Sequence, residues 1–242
     1  GLVSEWYKPF GLEPLFKLST RPEKSLGTDE QWQVAERGLE EALRANGLAF
    51  ALNPGDGTFY GPKIDVDILD ALGRRWQIAT IQIDFQQPER FGLEYIDTDG
   101  QPKRPVMVHR AIFGSFERFV GILTEHYAGA FPTWLAPVQA RVIPISEKFA
   151  DYARSVHERL RAARVRCELD DRNEKLGYRI REAQLRKVPY MLVCGGREAE
   201  QGTVSLRHRS GDDLGAVSVD RVIADLAREI AAREPSLTVG RS

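Results

Sequence analysis

Three side chains near the middle of the chain are of types that do chemistry: the imidazole of His109, the hydroxyl of Ser115 and the guanidinium of Arg118. Histidine can ligate a metal or carry a proton near neutrality, and guanidinium forks onto phosphate without losing its charge. All three lie in Pro105–Leu123, PVMVHRAIFGSFERFVGIL. The stretch opens as a short β-like run, Val106 to Val108, with His109 at its end. Apolar residues then recur at Ile112, Phe113, Phe116, Phe119, Val120 and Leu123, which predicts a helix with one buried face. Ser115 and Arg118 are three apart and would leave that helix in the same direction. The three polar groups would then edge one surface where a strand meets a helix. Each also has a plainer reading. A lone histidine at a strand end is more often structural than a ligand, and Glu117–Arg118 in an apolar helix is most often a solvated or paired couple.

Elements on either side must hold that surface. A helix end and a strand, Leu15–Ser19, come first. Thr28 and Gln31 form a capping box before Trp32, Ala35, Leu39, Ala42 and Leu43, spaced as a helix that Gly47 stops. A further strand, Ala49–Leu52, follows. In TFYGPKIDVDILD, Ile64, Val66 and Ile68 alternate with Asp65 and Asp67, a strand with one buried face. The two carboxylates could bind a metal or do acid–base work; the plain reading is a polar strand face. Arg74–Phe85 is a second strand, and Tyr95–Gly100 a hairpin-like loop. Three strands chained by turns, closed by a helix over Ile112–Tyr127, predict a largely antiparallel sheet. No GxGxxG and no GxxxxGK[ST] is present.

Phe131–Pro137, with two prolines, reads as the boundary between two domains, 1–137 and 138–242. Beyond it strands (141–145, 165–169, 190–194, 203–209) alternate with helices (147–163, 176–185, 219–232), which predicts a small mixed sheet covered by helices. The composition, 42% hydrophobic and 29% charged, is that of a globular protein, and no apolar run is long enough for a membrane helix. GLVSEWYKPFGLEPLF lacks the pattern of a secretory signal, and two cysteines in 242 residues suggest a reducing compartment; the expected location is the cytoplasm. Net charge is −1, yet residues 138–242 carry 20 Lys+Arg against 16 Asp+Glu and residues 1–137 carry 14 against 19. A basic second half is weak support for a polyanion partner.

The string GSFERF after HRAI resembles motif 3 of the class II aminoacyl-tRNA synthetases. The longer wording, from PVMVHRAIFGS through EHYAG to FPTWLAPVQ, is similar to their threonyl-specific branch. The resemblance implies a class II antiparallel sheet with helices, then a small α/β anticodon-binding domain. It implies ligation of threonine to its cognate tRNA through a threonyl-adenylate made from ATP with Mg²⁺. Arg118, Gln82, Tyr60 and Ser115 would be catalytic; Arg118, Gln77 and Lys63 would hold ATP or the adenylate; His109 would be one of three zinc ligands. Strict alternation puts Gln77 and Gln82 on opposite faces, so either a bulge intervenes, or Gln77 acts from the strand's end, or one of the two roles fails. The family tends to have glycine where Ala79 stands, which would tighten the site floor. Asn173, Lys175, Arg186 or Lys187, Glu198 and Arg207 fall where relatives contact anticodon bases. For Arg179, Arg181 and Arg186 the plain reading is a solvated helix face.

The resemblance starts after motif 2. Motif 1, motif 2 and two further zinc ligands would lie upstream of Gly1, so residues 1–242 alone would not activate threonine with zinc. A longer protein would do so, as a homodimer acting on tRNA(Thr) with no membrane partner. The alternative is a non-catalytic relative that binds tRNA as an accessory or regulatory protein.

Overall fold

The computed structural model describes residues 1–240, which divide into two compact units, 1–125 and 126–240. In the first, helix α1 (Leu2–Tyr7) and strand β1 (Leu15–Ser19) precede helix α2 (Asp29–Ala45). The α2 capping box is formed: Thr28 Oγ1 accepts from the Gln31 N–H, and Gln31 Oε1 accepts from the Thr28 N–H. Strands β2 (Phe50–Asn53), β3 (Lys63–Leu69) and β4 (Arg75–Asp84) follow, then helix α3 (Gln86–Arg90). A small hairpin, β5 (Tyr95–Ile96) and β6 (Pro102–Lys103), leads into β7 (Met107–Ala111) and helix α4 (Phe116–His126).

The main sheet has the order β2-β1-β3-β4-β7. Only the β1–β2 pair is parallel. One face is apolar. Phe16, Leu18, Ile64, Val66 and Ile68 are buried on it, and α2 brings Leu39, Leu43 and Trp32, whose ring meets Phe85 at 5.8 Å. The opposite face carries the polar residues of β3.

Two expectations for the central stretch are corrected. β7 extends to Ala111, so His109 lies within the strand, not at its end. The helix begins at Phe116, not Ile112. Gly114 has φ of 62°, a turn conformation that closes the strand, and the Ser115 hydroxyl then accepts the Arg118 N–H at 3.3 Å as a helix cap. Ser115 therefore does not project beside Arg118 from a shared helix face. The buried residues of α4 are Phe119, Ile122 and Leu123; Phe116 is 84% and Val120 55% exposed.

The second unit runs β8 (Ala140–Pro144), α5 (Ala150–Ala162), β9 (Cys167–Leu169), α6 (Leu176–Leu185) and β10 (Tyr190–Cys194). It continues with α7 (Gly196–Gln201), β11 (Thr203–His208), β12 (Asp213–Ser218) and α8 (Val219–Ala232). The sheet order is β12-β11-β10-β8-β9, parallel among β9, β8 and β10 and antiparallel beyond, so it is mixed as the sequence predicts. Both faces of β8 and β10 are buried. Val142, Tyr190, Leu192 and Leu206 pack with Val156, Leu160, Val222 and Leu226 on one side. Ile143 and Met191 pack with Ala183 and Ile180 of α6 on the other.

The stretch 126–137 belongs to this unit. Arg209 donates to the carbonyls of Phe131 and Ala130, Arg166 to those of Trp134 and Ala136, and Thr133 bonds Glu229. Glu229, 1% exposed, also accepts from Tyr190 Oη at 2.8 Å, the Thr238 N–H at 2.7 Å and the Val239 N–H at 3.1 Å. Arg179 is buried too, donating to the carbonyls of Asp170 and Pro144 at 2.7 Å each, so it is a structural strut and not part of a solvated face. Among the described residues no helix is long and apolar enough to cross a membrane.

Candidate functional site

The polar face of the first sheet follows from strand alternation. Lys63, Asp65 and Asp67 of β3 point away from the helices, and cross-strand partners share a face. Lys63 pairs with Gln82, Asp65 with Thr80, and Asp67 with Gln77. Between Ala79, which pairs with Val66, and Gln77 the register shifts, leaving Ile78 as the bulged residue. That bulge returns Gln77 to the face of Gln82. Of the readings the sequence leaves open, the bulge is the one present, and it puts both amides on one face. It also keeps Ala79, 2% exposed, on the apolar face, so its methyl does not tighten the polar floor.

Asp65 is the centre of this floor. It is fully buried and accepts from Gln77 Nε2 at 2.6 Å, Ser19 Oγ at 2.7 Å and Thr80 Oγ1 at 3.3 Å. Lys63 Nζ lies 2.8 Å from its Oδ2 and 3.3 Å from Asp56. Burial opposes the Lys63 ammonium, but the Asp65 and Asp56 carboxylates outweigh it and raise the lysine's pKa. Asp67 is held by Lys17 Nζ at 2.8 Å.

Beside the Gln77 end of β4 stands Arg118. β4 runs past the end of β7, which pairs only as far as Thr80 with Ala111. Arg118 reaches the uncovered part of β4. Its guanidinium lies 5.7 Å from the centre of the Trp76 ring, with Nη1 3.4 Å from the Gln77 carbonyl oxygen. Trp76 Nε1 is anchored to Asp70 Oδ2 at 2.8 Å. Burial would raise the pKa of Asp70, but bonds from Trp76 and from the Arg74 backbone and side chain bring it well below the usual carboxylate range. The guanidinium is exposed and rests on an aromatic plane, a posture suited to stacking and phosphate contact.

At the other end are Gln82, Tyr60 and His109. Gln82 and His109 are cross-strand partners, and Tyr60 Oη donates to Gln82 Oε1 at 2.5 Å. Tyr60 and Lys63 are brought here by a close backbone approach: a Cβ on Gly61 would lie 1.9 Å from the Ile83 carbonyl oxygen, so only glycine fits. His109 Nε2 is 3.0 Å from Asp84 Oδ2. Asp84 is fully buried, and burial alone would raise its pKa. The Gln87 N–H, His109 and the Gln86 N–H reverse this and lower it. A carboxylate only accepts, so Nε2 carries the hydrogen and Nδ1 of the neutral ring keeps a free lone pair. His109 thus fits one ligand position. Among the described residues no group of three His, Cys, Asp or Glu side chains could hold a metal ion.

In the second unit the six candidate residues are dispersed. Asn173 and Lys175, both exposed, follow β9, and Glu198 follows β10, so all three stand at the carboxyl ends of the parallel strands. α5 and α6 cover opposite faces of this sheet. Open α/β sheets bind ligands outside the carboxyl ends where such crossovers diverge. Glu198 Oε2 accepts the Gly195 N–H at 3.1 Å, so part of its bonding capacity is used locally. Arg207 is on β11 opposite Met191, on the α6 face, and is paired with Asp213. Arg186 and Lys187 follow the other end of α6, about 17 Å from Lys175 at a helical rise of 1.5 Å per residue. Arg186 is tied to Glu182 at 2.8 Å, in a network that also includes Arg172 and Asp170. Lys187 adopts φ of 60°.

Comparison with known proteins accounts for both halves. Residues 1–127 match the tRNA synthetase class II core domain (G, H, P, S and T), and residues 139–229 match the anticodon binding domain. The threonine--tRNA ligase of Caldanaerobacter subterraneus subsp. tengcongensis is 60% identical over 232 residues, covering 96% of this chain and 36% of that protein. That of Desulforamulus reducens is 56% identical over 229 residues, covering 95% and 36%. The chain therefore spans about a third of the length of these relatives. The crystal structure of the RNA binding domain of threonyl-tRNA synthetase from Cryptosporidium parvum Iowa II superposes with a TM-score of 0.87 at 42% identity, covering 94% of this chain and 57% of that one.

Proposed function

The chain belongs to the class II tRNA synthetase family, and from that premise we propose that it supplies the distal catalytic part and the anticodon-binding part of a threonine--tRNA ligase, with the boundary near residue 126 and not at 137 as the prolines suggest. The observation that carries this is the polar face of the first sheet, which gathers Gln77, Lys63, Gln82, Tyr60 and His109, with Arg118 beside the Gln77 end of β4.

Activation joins the threonine carboxylate to the α-phosphate of ATP, with loss of pyrophosphate; the threonyl group then passes to the terminal ribose of the tRNA. Positioning and charge neutralisation carry most of such a reaction. Arg118 would stack on the nucleotide and fork onto phosphate, while Gln77 and Lys63 hold the adenylate side. Tyr60 and Gln82 would orient threonine at the far end, and Ser115, fixed as the helix cap, would lie at the acceptor end. Mg²⁺ would neutralise the ATP phosphates. His109 would offer Nδ1 as one zinc ligand, and zinc bound there would recognise the threonine amino and hydroxyl groups together, rejecting an isostere without the hydroxyl. The remaining ligands would come from outside these residues. Asn173, Lys175, Glu198 and Arg207 would read anticodon bases by edge contacts, with Arg186 or Lys187 at the far end of the track. The working protein would be a cytoplasmic homodimer.

The test is the intact mass of the protein purified from its own source, with zinc measured on the same sample and threonine-dependent ATP–pyrophosphate exchange assayed. A chain well above 27.3 kDa with about one zinc and exchange activity is expected. A 27.3 kDa species without zinc or exchange contradicts the ligase reading and leaves tRNA binding as the function.

A further inference from the structure

Asp65 has no solvent exposure, yet two of its four donors belong to groups that face outward. Ser19 is itself fully buried and Thr80 is half-buried; their hydroxyls satisfy the carboxylate. Gln77 is exposed, and Lys63 leaves 13% of its side chain open. Gln77 therefore has one end fixed by Asp65 and the other left for the open face, and Lys63 Nζ, with three hydrogens and the two carboxylates Asp65 and Asp56 beside it, has one hydrogen left to donate.

The chemistry of the pair fixes polarity. A carboxylate accepts and cannot donate, so the Gln77 amide must turn its NH2 to Asp65. The atom left for a ligand is the carbonyl Oε1, an acceptor. Gln82 is turned the other way: its Oε1 takes the Tyr60 hydroxyl hydrogen, and its NH2 is left free to donate. Two amides on one strand face thus present opposite polarity at the two ends of the site.

We propose that Asp65 is a positioning residue that locks Gln77 as a hydrogen-bond acceptor and Lys63 as a cation toward the nucleotide, so that the nucleotide group met by Gln77 is a donor, a hydroxyl or an amino group. The proposal rests on the reading that this face binds ATP.

The test is steady-state ATP–pyrophosphate exchange with the protein from its source. Asp65→Asn keeps the shape but turns one oxygen into a donor, which frees the Gln77 amide to rotate. The KM for ATP is expected to rise about tenfold or more, the KM for threonine to change little. Asp65→Asn combined with Gln77→Ala should lose less than the product of the two single losses, as expected when Asp65 acts in part through Gln77 and in part through Lys63. Ser19→Ala removes a buried donor to the same carboxylate that faces no ligand; it should lower the melting temperature and leave both KM values unchanged. If Asp65→Asn does not fold, Gln77→Lys decides, since lysine still donates to Asp65 but offers no acceptor. It too should raise the KM for ATP.

A folded Asp65→Asn or Gln77→Lys protein with an unchanged KM for ATP overturns the proposal. So does a Ser19→Ala protein whose KM for ATP rises as much as that of Asp65→Asn, because the carboxylate then supports only the fold. An unsubstituted protein without threonine-dependent exchange overturns the underlying reading, and the proposal with it.

Discussion

Asp65 in the first unit and Glu229 in the second are both buried carboxylates at the centre of a hydrogen-bond network, and the two networks end differently. Glu229 in the second unit gathers Tyr190, Thr133, Thr238 and the Val239 N–H, all within the fold. Asp65 in the first unit gathers Ser19, Thr80 and Lys63, but also Gln77, an exposed residue. The physics is the same in both, since a buried carboxylate must be surrounded by donors. What differs is where the donors lead. At Asp65 the exposed Gln77 amide keeps an acceptor on the open face, whereas Tyr190, Thr133, Thr238 and the Val239 N–H close the Glu229 network on the fold itself.

The comparison is sharpened most by removing the outward group with the greatest charge. Arg118→Ala should lower ATP–pyrophosphate exchange by about 10²- to 10³-fold, with little change in melting temperature, because the side chain is exposed. Glu229→Ala should do the reverse. It leaves Tyr190 and Thr133 without their buried partner, and a loss of about 3 kcal/mol of stability is expected by denaturant unfolding, with the KM for ATP unchanged. Gly61→Ala tests both properties at once. The Ile83 carbonyl must move to admit the methyl, which should cost about 2 kcal/mol and raise the KM for both threonine and ATP, since Tyr60 and Lys63 flank the position.

The smallest effect is with pH. Asp84 and Asp70 in the first unit and Asp170 in the second all have pKa values lowered by their partners. A carboxylate depressed in the folded state contributes stability that is present above its unfolded value, about 4, and is lost as pH falls through the folded value. The melting temperature of the protein should be flat near neutrality and decline in both units below about pH 4. A decline beginning at pH 6 would contradict this assignment.

Alternation made the first unit legible. The Asp65–Ile68 pattern showed which residues of β3 share a face, and the capping box placed α2. The bulge at Ile78 was not legible, because the apolar run IATI satisfies either register, and only the β3 partner selects one. The start of α4 was missed for a related reason. Ile112 and Phe113 have helical spacing with Phe116, yet they are covered by packing across the turn: Phe113 stacks near Phe119 at 4.6 Å and the Ile112 carbonyl accepts from Tyr7 Oη at 2.5 Å. The role of Asp65 was also hidden, since burial of a polar strand face cannot be read from alternation.

In the second unit α6, β10 and α8 were read to the residue, but α7 and β12 were missed. β12, DLGAVS, breaks alternation with Gly215 and Ala216, where β11 itself shifts register between Ser205 and Arg207. Arg179 looked like a surface charge because helical spacing alone does not show that two carbonyls wait beneath it.

The most direct test of the division between the units compares Arg118→Ala with Asn173→Ala in two assays, ATP–pyrophosphate exchange without tRNA and threonylation of tRNA. The account predicts that Arg118→Ala loses both. Asn173→Ala should keep exchange within about twofold while its KM for tRNA rises about tenfold, the cost of one base-edge contact. Loss of exchange in Asn173→Ala, or wild-type exchange in Arg118→Ala, would contradict it.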